Sequence, residues 1–147
     1  MTIPIASDHA GFATKERVKE ILEELGHMPM DYGTDSDESV DYPDFAVQVA
    51  EKVNEGKYAH GILVCGSGQG MCMTANKYGN IRAALVYDET SARMTRLHNN
   101  ANILCLPGRQ LDPNQLKQMV ETWLNTSFEG GRHERRVNKI KRLTEND

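Results

Sequence analysis

Apolar residues recur along this chain in two rhythms. Short unbroken runs at 3–6, 62–64 and 103–106 read as buried strands, and 81–87 as a fourth. Residues 27–32 have the composition of a further strand, weakened by Pro29. Between these runs the apolar spacing widens to three and four. Val18, Ile21, Leu22 and Leu25 share one face of a helix predicted over about 12–25 and ended by Gly26. Phe45, Val49 and Val53 mark a second, introduced by Asp41-Tyr42-Pro43-Asp44 and closed by Gly56. Helices are also predicted from near Met71, over 89–98, over 113–123 and over 129–143, the last of them basic.

Strands alternating with helices at this pitch predict an α/β fold, a Rossmann-like doubly wound parallel sheet of about five strands with helices on both faces. In such sheets ligands bind beyond the carboxyl ends of the strands. That rule groups residues far apart in sequence. Asp8 and His9 end the first strand, Cys65 ends the central one and Arg109 lies just past the last. His98 and Asn99 close a helix, and the following turn is expected to bring them to the same edge. No repeat, low-complexity tract or linker divides the chain, so residues 1–147 read as one domain.

Composition narrows the class of function. A chain of 147 residues, 39% hydrophobic and 26% charged, can bury a core without disulfides. Its net charge of -4 argues against a nucleic-acid or membrane-surface partner, and no apolar run approaches the ~20 residues of a membrane span. Three cysteines, Cys65, Cys72 and Cys105, suit a reducing compartment better than a disulfide framework. The opening Met1-Thr2-Ile3-Pro4-Ile5 has no signal-peptide pattern, so a cytoplasmic location is expected. Neither a CxxC pair nor a Cys/His cluster at zinc spacing occurs, so neither a metal nor a cofactor is expected.

The chemistry centres on Cys65-Gly66-Ser67-Gly68-Gln69-Gly70-Met71. A thiol at the end of a strand is followed by three alternate glycines and a helix start, so backbone N–H groups are available to an anion. The same donors favour the thiolate. This loop is not the dinucleotide fingerprint, since Met71 stands where the third glycine would be, although Asp88 lies at a plausible ribose distance. It is not a Walker loop, and no arginine follows Cys65 before Arg82 as a phosphatase loop would need. The competing reading of Cys65 is a buried core thiol.

The other polar candidates carry similar pairs of readings. Asp8 can orient a substrate hydroxyl or cap the following helix, and His9 is suited to a phosphate. His98-Asn99 is either a solvated helix terminus or a proton carrier with a sugar-binding neighbour. Tyr42, before Pro43, either lines the site or packs. Arg132 and Arg136 share a helix face after Gly130-Gly131 and can grip one phosphate, or form an ordinary solvated basic face.

Taken together, Ser7-Asp8-His9-Ala10-Gly11, Asp41-Tyr42-Pro43, the Cys65–Met71 loop with Ala75-Asn76-Lys77, Arg96-Leu97-His98-Asn99, and Gly130-Gly131-Arg132-His133 with Arg136 resemble ribose-5-phosphate isomerase type B. That family also includes allose- and galactose-phosphate isomerases, and the resemblance runs in order over nearly the whole chain. It implies a metal-free interconversion of D-ribose 5-phosphate and D-ribulose 5-phosphate, in the pentose phosphate pathway, through an enediolate. It further implies Cys65 as the base, Ser67 as a proton shuttle between oxygens, and Gly66, Ser67, Gly68, Gln69 and Gly70 as the oxyanion loop. His98, supported by Asp8, would open the furanose ring while Asn99 binds the sugar. His9, Arg109, Arg132 and Arg136 match phosphate- or substrate-binding positions. Some of these would come from a second subunit of a homodimer or dimer of dimers, on which the C-terminal helix packs. A branch of the family uses a glutamate base, and the corresponding residue here is Met71. A six-carbon sugar phosphate, or binding of a phosphate or nucleotide without catalysis, are the alternative readings.

Overall fold

A computed structural model describes residues 1–145. Five strands and six helices alternate: β1 (Thr2–Ser7), α1 (Phe12–Glu24), β2 (Met28–Asp31), α2 (Tyr42–Asn54), β3 (Gly61–Cys65), α3 (Gln69–Ala75), β4 (Ala83–Leu85), α4 (Glu89–Leu97), β5 (Ile103–Pro107), α5 (Pro113–Asn125) and α6 (Arg132–Thr144). The strands form one parallel sheet in the order β2-β1-β3-β5-β4. The doubly wound sheet expected from the apolar rhythm is therefore present.

The alternation of side chains along each strand divides the core in two. Ile3 and Ile5, Ile62 and Val64, and Leu104 and Leu106 face one side, where α1, α4 and α5 cover them with Val18, Ile21, Leu22, Ala92, Met119 and Trp123. Ala6, Leu63, Cys65, Ile103 and Cys105 face the other, against Ala46, Val49 and Val53 of α2 and Met71 and Ala75 of α3. Both faces are apolar, which is why the central strands read as unbroken hydrophobic runs rather than alternating ones.

The boundaries differ from the sequence pattern at three places, each with a physical cause. Strand β2 is an edge strand, mostly exposed, and Pro29 pairs opposite Ile3 there, a position where a missing N–H is tolerated. Strand β4, on the other edge, keeps only three of the seven residues predicted. Its neighbours are drawn into local bonds: the Asn102 side chain accepts from the Arg82 N–H at 2.7 Å, and Asp88 and Ser91 form a capping box at the start of α4. The C-terminal helix begins at Arg132 rather than 129, because Gly130 and Gly131 both adopt positive φ.

Crossover direction fixes what lies at each edge. Right-handed parallel connections send every strand to one edge and every helix back to the other. The loops after β1, β3 and β5 meet at the carboxyl edge, and those entering the strands meet at the amino edge. At the amino edge the Gly61 N–H donates to the Asn102 carbonyl at 3.0 Å, tying the starts of β3 and β5 together.

His60, one residue before β3, sits edge-on to the buried Trp123 with ring centroids 5.2 Å apart, and its Nδ1 is buried without a partner. Burial, with a smaller contribution from Arg96, lowers its pKa to about 4 from the 6.5 of an unperturbed imidazole. The unfolded chain therefore takes up this proton first as pH falls, so the contribution to stability is complete above pH 6.5 and is lost between 6.5 and about 4. The melting temperature should drop between pH 7 and pH 5, and by less in His60→Phe. An equal drop in both proteins would assign the effect to other groups.

Candidate active site

Strand β3 runs directly into the site. Cys65, its last residue, is 5% exposed and points to the α2/α3 face, and its carbonyl accepts from the Gly108 N–H at 2.8 Å. The Arg109 N–H donates to the Gly66 carbonyl at 3.0 Å, so the loop after β5 is stitched to the loop after β3. The Arg109 side chain lies along Gly66, with Cδ 3.4 Å from where a β-carbon would stand.

Gly68 adopts φ +75°, and a β-carbon there would lie 2.5 Å from Leu85 Cδ1 and 3.1 Å from the Leu106 carbonyl carbon. Only glycine allows the loop to turn this close to β4 and β5 before entering α3. At Gly70 a β-carbon would stand 2.3 Å from the Tyr42 ring, so Tyr42 lies directly over the loop from the start of α2 while 40% exposed. The Gln69 N–H donates to Ser67 Oγ at 3.3 Å. Among the described residues, no acceptor pairs with the N–H groups of Ser67, Gly68, Gly70 or Met71. These donors follow directly on the strand end that carries the sulfur.

The β1 loop faces them. Asp8 is buried and its Oδ1 accepts from the Gly11 N–H at 3.0 Å, while its own N–H donates to the Val64 carbonyl at 3.2 Å. The carboxylate thus shapes the loop ahead of α1 rather than capping a first-turn N–H. His9 Nδ1 accepts from the Val40 N–H at 3.1 Å, which places the ring proton on Nε2, the nitrogen left for a ligand. Beneath this loop the buried Lys15 donates to Asp31 Oδ1 at 2.8 Å and to the Thr34 carbonyl, anchoring the segment after β2 that presents Val40. Burial works to raise the Asp31 carboxyl, but bonds from Lys15 and Lys19 outweigh it and hold it below its ordinary value.

The three thiols are not equivalent. Cys105 is completely buried on β5, and the neighbouring Cys72 sulfur together with burial hold its thiol well above the usual range. Cys72 Sγ donates to the Ala83 carbonyl at 3.3 Å. Only Cys65 stands at the carboxyl edge beside the loop. Met71, fully buried beneath it, offers no base.

The remaining candidates are at the other edge. Helix α4 starts after the carboxyl end of β4 and must run back, so His98, its C-cap, and Asn99 lie near the starts of the strands. The five residues of β3, roughly 13 Å from first to last, separate that edge from Cys65. The expectation that the turn would return His98 and Asn99 to the edge of Cys65 within one chain is thus corrected by the helix direction. Asp8 does not support His98 within one chain for the same reason. Asp88, at a ribose-like distance in sequence, is the cap of α4: its Oδ1 accepts from the Ser91 N–H at 2.7 Å, and the Ser91 bonds lower its pKa.

At the amino edge α6 meets α4. The rings of His98 and His133 stack with centroids 4.1 Å apart and planes within 11°. Glu129 Oε1 stands 3.6 Å from His133 Nε2, and Arg132 and Arg136 project into solvent on the same helix. The sequence motifs give His133 no role and do not reveal this cluster, since residues 98 and 129–133 share no metal-like spacing. The available signal was that His133 and Val137 are four apart, the inward face of an otherwise exposed helix. His98, Glu129 and His133 lie close enough to be considered for a metal ion. Face-to-face rings, however, direct their in-plane lone pairs side by side rather than at one ion, and the adjacent arginines oppose a cation. A cavity of about 570 Å³ between α6 and the β4 edge is lined by Asn99, Arg82, Val137 and Ile140, and it is separate from the Cys65 loop.

Comparison with known proteins bears on this arrangement. The profile of the family described as Ribose/Galactose Isomerase matches residues 3–140. This chain belongs to that family. It is similar to the ribose-5-phosphate isomerase B of Escherichia coli strain K12, 41% identical over 138 residues, covering 94% of this chain and 93% of that one. It is also similar to the D-erythrulose-4-phosphate isomerase of Pectobacterium atrosepticum, 38% identical over 141 residues and covering 95% and 93%. The solved structure of ribose-5-phosphate isomerase B from Mycoplasma genitalium, which holds ribulose-5-phosphate, superposes with a TM-score of 0.94 at 42% identity, covering 99% and 97%. The resemblance drawn from the motifs is therefore correct, and the protein is a sugar-phosphate isomerase. Among the described residues of this isomerase, no helix is long and apolar enough to cross a membrane.

Gly68→Ala tests the loop itself. It should destabilise the isomerase by about 1–3 kcal/mol in urea unfolding, from the forced positive φ and the collision with the β5 backbone. An unchanged midpoint would show that the turn is not held as described.

Proposed function

We propose that this protein interconverts D-ribose 5-phosphate and D-ribulose 5-phosphate without a metal, at a site completed by a second copy of the chain. The observation that carries this reading is the carboxyl-edge cluster: a cysteine at a strand end beside a loop of unpaired amide donors. The Cys65 thiolate removes the proton from C2 of the open-chain aldose, and the electrons move onto O1 to form an enediolate. N–H groups of the 66–70 loop stabilise that oxygen, and Ser67 Oγ passes the hydroxyl proton from O2 to O1. The Cys65 thiol then returns its proton to C1, leaving the ketose. A positioned base supplies ~10²–10⁴-fold, and preorganised donors contribute a term of similar size.

His9, through its Nε2 proton, and the Arg109 side chain over Gly66 serve the substrate from the same chain. Asp8 and Tyr42 line the cleft. His98 as ring-opening acid–base, Asn99 as sugar ligand and Arg132 and Arg136 as phosphate ligands are needed at the same place, and one chain holds them a strand length away. A two-fold pairing that lays the α4–α6 end of one copy over the carboxyl edge of the other resolves this. The exposed apolar side chains of Ile140 and Leu143 on α6 suit burial in that pairing.

A coupled assay on ribose 5-phosphate should detect turnover that chelator does not diminish and that Cys65→Ala lowers by at least ~10²-fold with sugar-phosphate binding retained. Full activity in the alanine variant would remove Cys65 from its role, and chelator sensitivity would contradict the metal-free scheme. Parallel assays with allose 6-phosphate and erythrulose 4-phosphate address chain length, which the similarity to a four-carbon isomerase makes a specific question.

Site sharing has its own test. Cys65→Ala and His98→Ala, each nearly inactive alone, should recover about a quarter of wild-type activity when unfolded and refolded together, because each mixed dimer regains one intact site. No recovery in verified mixed dimers would show that both residues act within one chain.

A further inference from the structure

His98 is an unusual candidate for an acid–base group in one respect. Among the described residues, neither of its ring nitrogens makes a hydrogen bond, so nothing polar fixes the plane of its ring. What does touch it is a second imidazole. His133, the first inward-facing residue of α6, lies flat against it, 4.1 Å between centroids and 11° between planes. His133 is itself 7% exposed, and its Nε2 is buried without a hydrogen-bond partner, the Glu129 carboxylate standing off at 3.6 Å. Its backbone is also tied down, since its N–H donates to the Gly130 carbonyl at 3.1 Å and the Glu129 N–H donates to the Leu97 carbonyl at 3.0 Å, beside His98. A polar ring has thus been buried at the cost of an unsatisfied nitrogen, in the one place where it backs His98.

We propose that His133 is the positioning residue of His98: its fixed ring is the platform that sets the plane in which His98 presents its nitrogens to the sugar. This rests on the reading of His98 as the ring-opening group. A flat face in contact leaves His98 free to gain or lose a proton at either nitrogen, which a hydrogen bond to one of them would hinder. It removes rotation about the last side-chain bond. The platform favours its neutral form, because desolvation, the neighbouring His98, Arg132 and Arg136 all lower the His133 pKa against the opposing pull of Glu129. A neutral π-face beneath His98 also tolerates an imidazolium, where a second cation would repel it.

The test separates the platform from simple packing. His133→Phe preserves the stack without a nitrogen and should keep kcat on ribose 5-phosphate within about 3-fold of wild type, whereas His133→Leu fills space without stacking and should lower kcat about 10-fold with KM little changed. His133→Gln takes the place of the leucine variant if that protein does not fold. In a His98→Ala background the leucine variant should cause no further loss, since there is nothing left to position. Equal losses for phenylalanine and leucine, a rise in KM in place of a fall in kcat, or an additive loss in the His98→Ala background would each overturn the proposal. Wild-type turnover in His98→Ala would instead refute the ring-opening role, and the platform with it.

Discussion

The direction of the crossover is the constraint on which this structure depends. In a parallel sheet each strand delivers its last residue to one edge and each helix returns the chain to the other. Cys65, the loop 66–70, Asp8, His9 and Arg109 all end or follow strands, so they converge on one edge, where backbone bonds between the loops then tie them together. His98 follows a helix, and for that reason alone it is placed at the far side of the sheet. The same rule that gathers the strand-end candidates at one edge thus keeps the helix-end candidates at the other within one chain.

The topological switch point lies between β1 and β3, where the winding reverses. From β1 the chain moves outward to β2 on one flank, and from β3 it moves to β4 on the other. The loops after these two strands therefore diverge and leave room for a ligand, as in other doubly wound sheets. Close contacts then refine the opening: Tyr42 over Gly70, Arg109 over Gly66, and the tight turn at Gly68 against β4 and β5. None of these contacts is a hydrogen bond that would have to break on binding.

The polar groups buried away from this cleft support its parts. Lys15 and Asp31 hold the segment that fixes the tautomer of His9. Arg96, a buried residue of α4, donates to the Thr126, Ala101 and Asn100 oxygens and so locks the end of α4 to the segment that leads into α6. Buried charges are costly unless fully bonded, and here both lie under loops that carry site residues. Cys72 and Cys105 show the opposite case, polarisable side chains used as packing beneath a third cysteine, Cys65, that ends β3 at the carboxyl edge.

The sequence alone determined the architecture, because unbroken apolar runs and helical spacing are local patterns whose periods state directly which elements form and that both sheet faces are covered. It also made the Cys65 loop legible, since a strand end, alternate glycines and a helix start occupy seven consecutive residues. Edge strands were less legible: β4 shortened because Ser91, three and four residues away, and Asn102, twenty residues away, compete for its flanks. Tertiary structure decided which edge each candidate occupies, and so that His98, Asn99, Arg132 and Arg136 lie apart from Cys65 within one chain. It alone brought His133 against His98, because α6 returns across the end of α4 only after thirty-odd residues of intervening chain, and no local pattern records where a chain comes back.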